Sequence, residues 1–416
     1  MAEALLAATA HLLFANGQTS EATRITIARL GGALGVQADV LLQWGDLVLS
    51  IDGRAVPALR RVRPTAVDMN KVAAALHAVD EVCAGRLDAS GARREVEAIA
   101  LRPPASTLRF AAMAAAGAAA LGVIFGAQDP QTLAFIALSA GLGGWLRRGL
   151  ARLSTNTLVQ PFCAALLAGI LGGVAVLAHL GIDPRLALVC PCMVLVPGPH
   201  LLNGSIDLAR ARILIGWARL LFAGLILLMI CAGLLLGLAA TGVGLPQGAA
   251  AVAVPLLYDI LAAGCAVAAF GSFFSMPWRA LAVPVAVGML AHGARWLLID
   301  AGLSLPAGTF VACLVAGILA TLLANRLRFP FAAFAFASVV SMMPGVYLFE
   351  AAAALVEIGR LGAGAPAGLL VGAVANGTVA LQIVFAMTFG LILPKMVIEG
   401  WLAKRRAARP GPAQSL

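Results

Sequence analysis

The chain has 416 residues, of which 61% are hydrophobic and 12% charged, and its mean hydropathy is +0.96. Soluble domains have roughly a quarter of their residues charged, so this composition excludes a water-soluble enzyme for most of the chain. The net charge of +10 falls after residue 105, among apolar segments, because residues 1–105 hold 11 basic and 11 acidic side chains. Basic residues in that setting indicate membrane topology and not a nucleic-acid partner.

Residues 1–105 are predicted to form a small α+β domain on the cytoplasmic side. Their start lacks the basic region and the uninterrupted apolar run of a signal peptide. Residues 3–15 are predicted as an amphipathic helix, and Thr19 or Ser20 caps a second helix. Gly45-Asp46 between two apolar runs predicts a hairpin. The remaining predicted elements are a strand over 56–62 and helices over 67–83 and 92–101.

After Pro103-Pro104, successive apolar runs are long enough to cross about 30 Å of hydrocarbon as helices. We predict ten such spans, so the fold class is a polytopic α-helical membrane protein preceded by the α+β domain. The predicted spans are 108–126, 131–146, 158–180, 186–207, 213–239, 248–270, 279–298, 306–324, 330–356 and 368–393.

The basic residues predict the orientation of these spans, because Lys and Arg concentrate in cytoplasmic loops. With residue 105 in the cytoplasm, the outer side carries at most Arg185, Arg295 and Arg360. We therefore expect a multi-pass protein of the bacterial inner membrane with both termini cytoplasmic. The open alternative is a total of nine spans, without the span 131–146. The inner loops and tail hold Arg147, Arg148, Arg152, Arg210, Arg212, Arg279, Arg326, Arg328, Lys404, Arg405, Arg406 and Arg409.

An internal repeat relates the two halves of the predicted membrane region. The tetrapeptide AGIL occurs at 168–171 and 316–319, an offset of 148, and Pro-Gly occurs at 197–198 and 344–345, an offset of 147. These offsets predict two five-span halves, 106–240 and 241–403, followed by a basic cytosolic tail, 404–416. Because five is odd, the halves enter the bilayer in opposite senses, as in the inverted repeats of many secondary transporters.

Each Pro-Gly pair lies in the middle of its predicted span. Proline removes a backbone donor and glycine permits unwound geometry, so both helices are expected to break at membrane depth. The N-terminus of each second half-helix offers N–H groups and a positive dipole end to a carboxylate. We therefore predict that Pro197, Gly198, Pro344 and Gly345 bind substrate. The alternative is a pair of proline kinks that serve packing alone.

Polar residues follow both breaks. Asn203 and Tyr347 are predicted to bind hydroxyl or amino groups of the substrate, and the 147-residue offset pairs Asn203 with Glu350. Glu350, Asp259 and Asp207 are candidates for proton coupling, because an ionisable group inside a span is costly unless paired or hydrated. The open alternatives are an outer interfacial position for Glu350, a surface pair with Arg210 and Arg212 for Asp207, and a carboxyl of Asp259 satisfied by a neighbouring helix or Tyr258.

Further polar residues of the seventh and tenth spans are candidates to line the same cavity. Each has the alternative of a hydrogen bond between helices. They are His292, Arg295, Asn376, Thr378 and Gln382.

The sequence offers no cofactor or ATPase motif. Cys190 and Cys192 have no second pair with metal-binding spacing, and no phosphate-binding G-x-x-x-x-G-K-[ST] occurs. We therefore expect no enzyme, no cofactor and no metal, and transport driven by an ion or substrate gradient. The alternative is a sensor or enzyme in residues 1–105 with the spans as its anchor. In that region the only histidines are His11 and His77 and the only cysteine is Cys83, so it shows no nucleophile–base set.

The sequence resembles the threonine/serine exporter family (ThrE) in its single-chain form. The resemblance lies in ANGQTSEATRITIARLGGALG, RVRPTAVDMNKVAAALHAV, VPGPHLLNGSIDL and MMPGVYLFEAA, and it covers nearly the whole chain. It implies an inner-membrane exporter of threonine and serine driven by the proton motive force. Some split relatives are associated with export of dicarboxylates such as succinate, so a small dicarboxylate is the alternative substrate. The implied partners are the substrate, a proton and the lipid bilayer, and self-association into a homo-oligomer is left open.

Overall fold

The computed structural model describes residues 1–55, 60–244, 254–327 and 329–407. These residues form an N-terminal α/β unit and a bundle of apolar helices. The predicted strand over 56–62 and the predicted span 248–270 each lie partly outside the described residues, as does most of the predicted basic tail.

The N-terminal unit contains a small antiparallel sheet and four helices. The predicted hairpin is confirmed, with Leu42 paired to Leu47 across its turn. Thr19 caps the second helix by accepting a hydrogen bond from Ala22 N–H. The elements are α1 (Ala2–Ala15), α2 (Ser20–Ala33), β1 (Ala38–Leu42), β2 (Gly45–Ile51), β3 (Arg54–Ala55), β4 (Arg60–Val62), α3 (Met69–Cys83) and α4 (Ala89–Leu101), and β2 pairs with the other three strands.

Helix α1 is the core of this unit and is apolar on nearly all sides, whereas we predicted an amphipathic helix. Leu5, Leu6, Leu13 and Phe14 are all fully buried. Helices α2, α3 and α4 and strands β2 and β4 pack around it. A helix that is apolar on all sides is covered on all sides, and nearly every position of α1 is apolar.

The helical bundle follows from residue 107. Seven of its helices are long and apolar enough to cross a membrane, and two bent pairs raise the number of candidate spans to nine. The helices are α5 (Thr107–Ile124), α6 (Pro130–Leu153), α7 (Val159–Leu177), α8 (Pro184–Met193), α9 (Gly198–Ala209), α10 (Ile213–Thr241), α11 (Leu256–Phe273), α12 (Trp278–Asp300), α13 (Leu305–Leu327), α14 (Phe331–Val339), α15 (Gly345–Leu361) and α16 (Ala367–Ala407).

Helix α6 accounts for the difference between ten predicted spans and nine candidates. It covers the predicted span 131–146 and has 24 residues, which is long enough to cross a bilayer. It does not reach the apolarity of the others, because its first turn is polar and Arg147, Arg148 and Arg152 occupy its last turns.

The packing of α11–α16 repeats that of α5–α10. Helix α7 packs on α10 as α13 packs on α16, and α5, the first helix of one set, packs on α11, the first of the other. The two AGIL segments lie at these contacts. A Cβ atom at Gly169 would lie 2.4 Å from Leu234 O, and one at Gly317 would lie 2.9 Å from Gly390 O. Glycine at both positions therefore permits the close approach of the helices.

The N-terminal unit packs on one end of the bundle. The N–H of Met69, at the start of α3, donates to Phe274 O just after α11, at 2.7 Å. The rings of Trp44 and Phe222, the latter on α10, lie 5.0 Å apart. The unit therefore contacts helices of both sets at the same end.

Candidate functional site

Both helices that carry a Pro-Gly pair are broken at that pair. Helices α8 and α9 meet at an angle of 62°, and α14, extended by a 3-10 turn, meets α15 at 56°. Pro197 has φ −81° and ψ 60°, and Gly198 N–H donates to Val196 O at 2.9 Å. Pro344 has φ −79° and ψ 43°, and Gly345 N–H donates to Met343 O at 2.8 Å. Each break is thus a tight turn centred on proline, in the manner of an inverse γ-turn.

The two breaks lie against each other. A Cβ atom on Gly345 would lie 2.9 Å from Met193 Cε, and one on Gly198 would lie 3.2 Å from Met343 Cε and 3.5 Å from Val340 Cγ2. A void of only about 10 Å³ remains between them. The breaks are therefore closed by apolar side chains, and the N–H groups predicted to bind a carboxylate, those of Gly198 and Gly345, are engaged in the turns.

A larger cavity of about 440 Å³ leads from the N-terminal unit to the first break. This volume lies within the roughly 300–1,000 Å³ of small-molecule sites. Thr65, Asp68 and Lys71 line it from the N-terminal unit, and Pro197 and Pro199 line it at the first break. The bundle also contributes Arg147, Arg148, Thr157, Gln160 and His200.

Charges of both signs face this cavity. Asp68 caps α3, with Oδ1 accepting from Lys71 N–H at 3.1 Å, and burial raises the pKa of its carboxyl above the usual range. Arg147 and Arg148 stand over the Phe110 ring, with guanidinium carbons 5.6 and 4.4 Å from its centroid. The sequence predicts these arginines only as markers of topology, because their neighbours in sequence do not indicate that they line a cavity.

Glu350 belongs to a second polar cluster. Its Oε2 accepts a hydrogen bond from Asn376 Nδ2 at 3.1 Å, and its Oε1 lies 3.9 Å from Arg185 Nη1. Tyr347, one turn earlier and half-buried, is within electrostatic range of Glu350 and Arg295. Arg185 lies in the first turn of α8, whereas Asp207 near the end of α9 contacts Ser20 of the N-terminal unit, so this cluster lies at the opposite end of the bundle.

Asp259 is buried and paired with a neighbouring helix. Its Oδ2 lies 2.9 Å from His292 Nδ1, whereas Tyr258 points outward and is 61% exposed. Arg295, one turn beyond His292, interacts electrostatically with both Asp259 and Tyr347. The polar residues of α11, α12 and α15 thus form a chain from Asp259 towards Glu350.

Asn203 and Asp207 do not join Glu350. Asn203 Nδ2 donates to Gly17 O at 3.2 Å. Asp207 is buried, and its Oδ2 accepts from Ser20 Oγ at 2.8 Å and lies 3.3 Å from Arg219 Nε. Both side chains therefore join α9 to the loop and helix at 17–20 of the N-terminal unit.

Arg219 is a residue that sequence analysis missed. It lies in the 29-residue apolar helix α10 and is the largest fully buried side chain of the described residues. The sequence signal that could have identified Arg219 is its position as a charged residue inside the predicted span 213–239. Within the described ranges, no three His, Cys, Asp or Glu side chains come together as a metal site.

Comparisons with known proteins identify two matching family models. The ThrE model, for a threonine/serine exporter, matches residues 4–241. A second ThrE model, described as Threonine/Serine exporter, matches residues 259–397. No solved structure matches the chain.

Proposed function

Because this chain belongs to the threonine/serine exporter family, we propose that it is a secondary active exporter of small hydroxy amino acids in the bacterial inner membrane. The observation that carries the proposal is the contact between the two Pro-Gly breaks at the end of a cavity of about 440 Å³. Broken helices at membrane depth are tolerated where they line a pathway. The matching family models are those of exporters, so they do not support the alternative of an enzyme or sensor in residues 1–105 that the spans merely anchor.

We infer that the two sets of helices are inverted five-span halves, with α6 as the tenth span. The repeated packing pairs support this inference. So do the contacts at the breaks, since Gly198 against Val340 and Gly345 against Met193 are related by the same 147-residue offset. Two inverted halves in contact at equivalent points can rock about that contact.

The end that carries the N-terminal unit is proposed to face the cytoplasm, with both termini on that side. Arg147, Arg148, Arg210 and Arg212 all lie at this end, as the distribution of basic residues in membrane proteins requires. The 440 Å³ cavity is then the entrance for substrate from the cytoplasm.

Substrate is proposed to bind when the breaks open. Moving Met193 and Met343 aside and opening the two turns would free the N–H groups of Gly198 and Gly345 for the carboxylate. Tyr347 would contact the hydroxyl or amino group from α15. Asn203 would do so from α9, since its buried Oδ1 accepts no hydrogen bond from any described residue.

A proton entering from the outer side is proposed to drive the cycle. Glu350 is the first candidate to carry it, because protonation would remove the charge that attracts Arg185 and loosen the outer end. Asp259, paired with His292, is the second candidate. Asp207 is the third, and its protonation would instead weaken the contact between α9 and the N-terminal unit.

A dicarboxylate is the second candidate substrate, and one observation favours it. Arg147 and Arg148 add two positive charges to the entrance cavity, so a second carboxylate has more fixed positive charge to meet than Arg295 alone supplies.

Counterflow in proteoliposomes tests both candidates. Vesicles loaded with unlabelled L-threonine should accumulate labelled L-threonine, and an imposed pH gradient should drive net flux. Inhibition by succinate but not by serine would select the dicarboxylate, and absence of threonine exchange in the wild type would refute the leading proposal.

Two glycine variants of α15 test the role of the breaks. Gly345→Val should block exchange, because its side chain would meet Met193 at the contact between the breaks. Gly359→Val is the matched control, since a Cβ there meets nothing within 4 Å. Equal exchange by the two variants would exclude the breaks from the pathway.

A further inference from the structure

The entrance cavity has opposite charges on facing walls. Asp68 and Lys71 line it from the N-terminal unit, where the Lys71 ammonium group donates to Ala100 O at 2.8 Å, and Arg147 and Arg148 line it from α6. We propose that this cavity is a capture site for the zwitterionic head of an α-amino acid, with the ammonium group at Asp68 and the carboxylate at Arg147 and Arg148. The proposal rests on the proposed export function and adds to it a site built partly by the N-terminal unit.

The two walls attract each other but do not touch. Asp68 and Arg148 interact electrostatically. Among the described residues, however, no ion pair within 4 Å joins them. A ligand that carries a positive and a negative charge a short distance apart could form an ion pair with Asp68 and with Arg148 at the same time.

Helix capping does not explain why residue 68 carries a carboxylate. The cap uses Oδ1, which accepts from Lys71 N–H. A serine, threonine or asparagine would cap equally well without placing a carboxylate in a cavity. Asp68 is only 8% exposed, and a carboxylate at such a site is costly unless a cation approaches it.

The hydrogen bonding of the two arginines, Arg147 and Arg148, is also incomplete. The cation–π contacts with the Phe110 ring, at 5.6 and 4.4 Å from its centroid, use the charge of the guanidinium groups but no oxygen or nitrogen acceptor for their N–H donors. The Nε atoms of both Arg147 and Arg148 are buried and have no hydrogen-bond partner among the described residues. Two guanidinium groups with donors to spare are suited to a carboxylate.

Asp68 also selects among ligands. A monocarboxylate would bring no cation to Asp68, and the second carboxylate of succinate would be repelled by the Asp68 carboxylate. A small amino acid satisfies both walls, and Thr157 and Gln160, which also line the cavity, can bind a side-chain hydroxyl. The charge pattern therefore favours an amino acid over the dicarboxylate at this site.

Paired probes test the assignment in full-length protein reconstituted in proteoliposomes. 3-Hydroxybutyrate lacks the ammonium group of threonine, and 1-amino-2-propanol lacks its carboxylate. Asp68→Asn keeps an N-cap and removes the charge, so it should raise the KM for L-threonine about tenfold or more. Inhibition of exchange by 3-hydroxybutyrate should stay unchanged. Arg148→Gln should also raise that KM, while inhibition by 1-amino-2-propanol stays unchanged.

Asp88→Asn is the matched control. Asp88 caps α4 as Asp68 caps α3, with Oδ1 accepting from Gly91 N–H at 3.0 Å, but it does not line the cavity. The KM of the Asp88→Asn variant for L-threonine should equal that of the wild type. An unchanged KM in Asp68→Asn, or equal losses of threonine and 3-hydroxybutyrate binding, would overturn the capture site.

Equilibrium binding separates this proposal from the proposed function. If the wild type exchanges no threonine, export fails as a function, and binding of labelled L-threonine to the solubilised full chain then tests the site. Binding that is lost in Asp68→Asn and kept in Asp88→Asn would support it. Absence of binding in the wild type would refute it. Arg148→Gln provides the same comparison if Asp68→Asn does not fold.

Discussion

Asp207 on α9 and Arg219 on α10 form an ion pair in which the side chains are 2% and 1% exposed. Ser20 of the N-terminal unit donates a hydrogen bond to the same carboxylate oxygen, and the Arg219 guanidinium lies 5.1 Å from the Phe14 ring centroid. The pair therefore ties α1 and α2 to the half-helix that follows the first break. A movement of α9 during transport either carries the N-terminal unit along or breaks these contacts.

Removing Asp207 should strongly destabilise the protein. Asp207→Ala leaves the buried Arg219 charge without this counterion, and loss of one partner of a buried pair costs about 3–5 kcal/mol. Thermal unfolding in detergent measures the effect. Glu357→Ala is the control, because it breaks an ion pair with Arg360 that is exposed to solvent and should leave the unfolding midpoint unchanged. Equal shifts in the two variants would contradict the structural role of Asp207.

The AGIL glycine of the first half should tolerate no side chain. At Gly169 a Cβ would meet the Leu234 carbonyl oxygen, which is backbone and cannot turn aside. We expect Gly169→Ala to lower the free energy of unfolding by about 1–3 kcal/mol, the usual cost of overpacking. Gly224→Ala on α10 meets open space and should be neutral or stabilising by up to about 1 kcal/mol. A neutral Gly169→Ala would show that α7 and α10 can separate freely.

The breaks were predictable from the sequence because their cause is local. Proline and glycine restrict the backbone at their own positions, whatever packs around them. The 147-residue offset predicts that Asn203 and Glu350 are equivalent positions of the repeat, and their side chains are not in contact in the structure. Asn203 contacts Gly17 of the N-terminal unit, whereas Glu350 contacts Asn376 and Arg185 at the other end of the bundle, because α9 and α15 leave their breaks towards different ends.

Tertiary partners could not be predicted in the same way. A charged residue in an apolar helix marks a site that needs a partner, and this rule identified Asp259. Its partner His292 comes from another helix, and Arg219 meets a carboxylate whose neighbours in sequence suggested a surface pair. Such contacts depend on how helices pack, which composition and periodicity do not specify.

The two capping aspartates should respond to pH in opposite directions. Burial raises the pKa of Asp68, so its ionised form destabilises the fold at neutral pH, and this penalty disappears as pH falls through the raised pKa. Hydrogen bonds from Ser90 and Gly91 lower the pKa of Asp88, so its ionised form stabilises the fold at neutral pH, and this gain is lost on acidification.

Unfolding midpoints of two variants across pH test this difference. Asp68→Asn should be at least as stable as the wild type at pH 7 and should lose that advantage as the pH falls towards about 4. Asp88→Asn should be less stable at pH 7, with the difference closing on acidification. Parallel pH profiles for the two variants would contradict the opposite environments of these carboxyl groups.

Glu350→Gln should separate exchange from proton coupling. Glutamine can still accept the hydrogen bond from Asn376, but it carries no charge to attract Arg185 and no titratable proton. Flux driven by a pH gradient should fall at least about tenfold, which corresponds to about 1.4 kcal/mol in the coupled step. Threonine counterflow needs no net proton movement and should therefore persist in the same vesicles.

The control for this variant lies on the same helix. Glu357→Gln removes a partly exposed carboxylate paired with the exposed Arg360, so gradient-driven flux should match the wild type. If Glu350→Gln keeps its response to the gradient and Asp259→Asn loses it, the proton is carried by the buried Asp259–His292 pair. Glu350 would then act only through its contact with Arg185, and its variant should change the rate of exchange instead of its coupling.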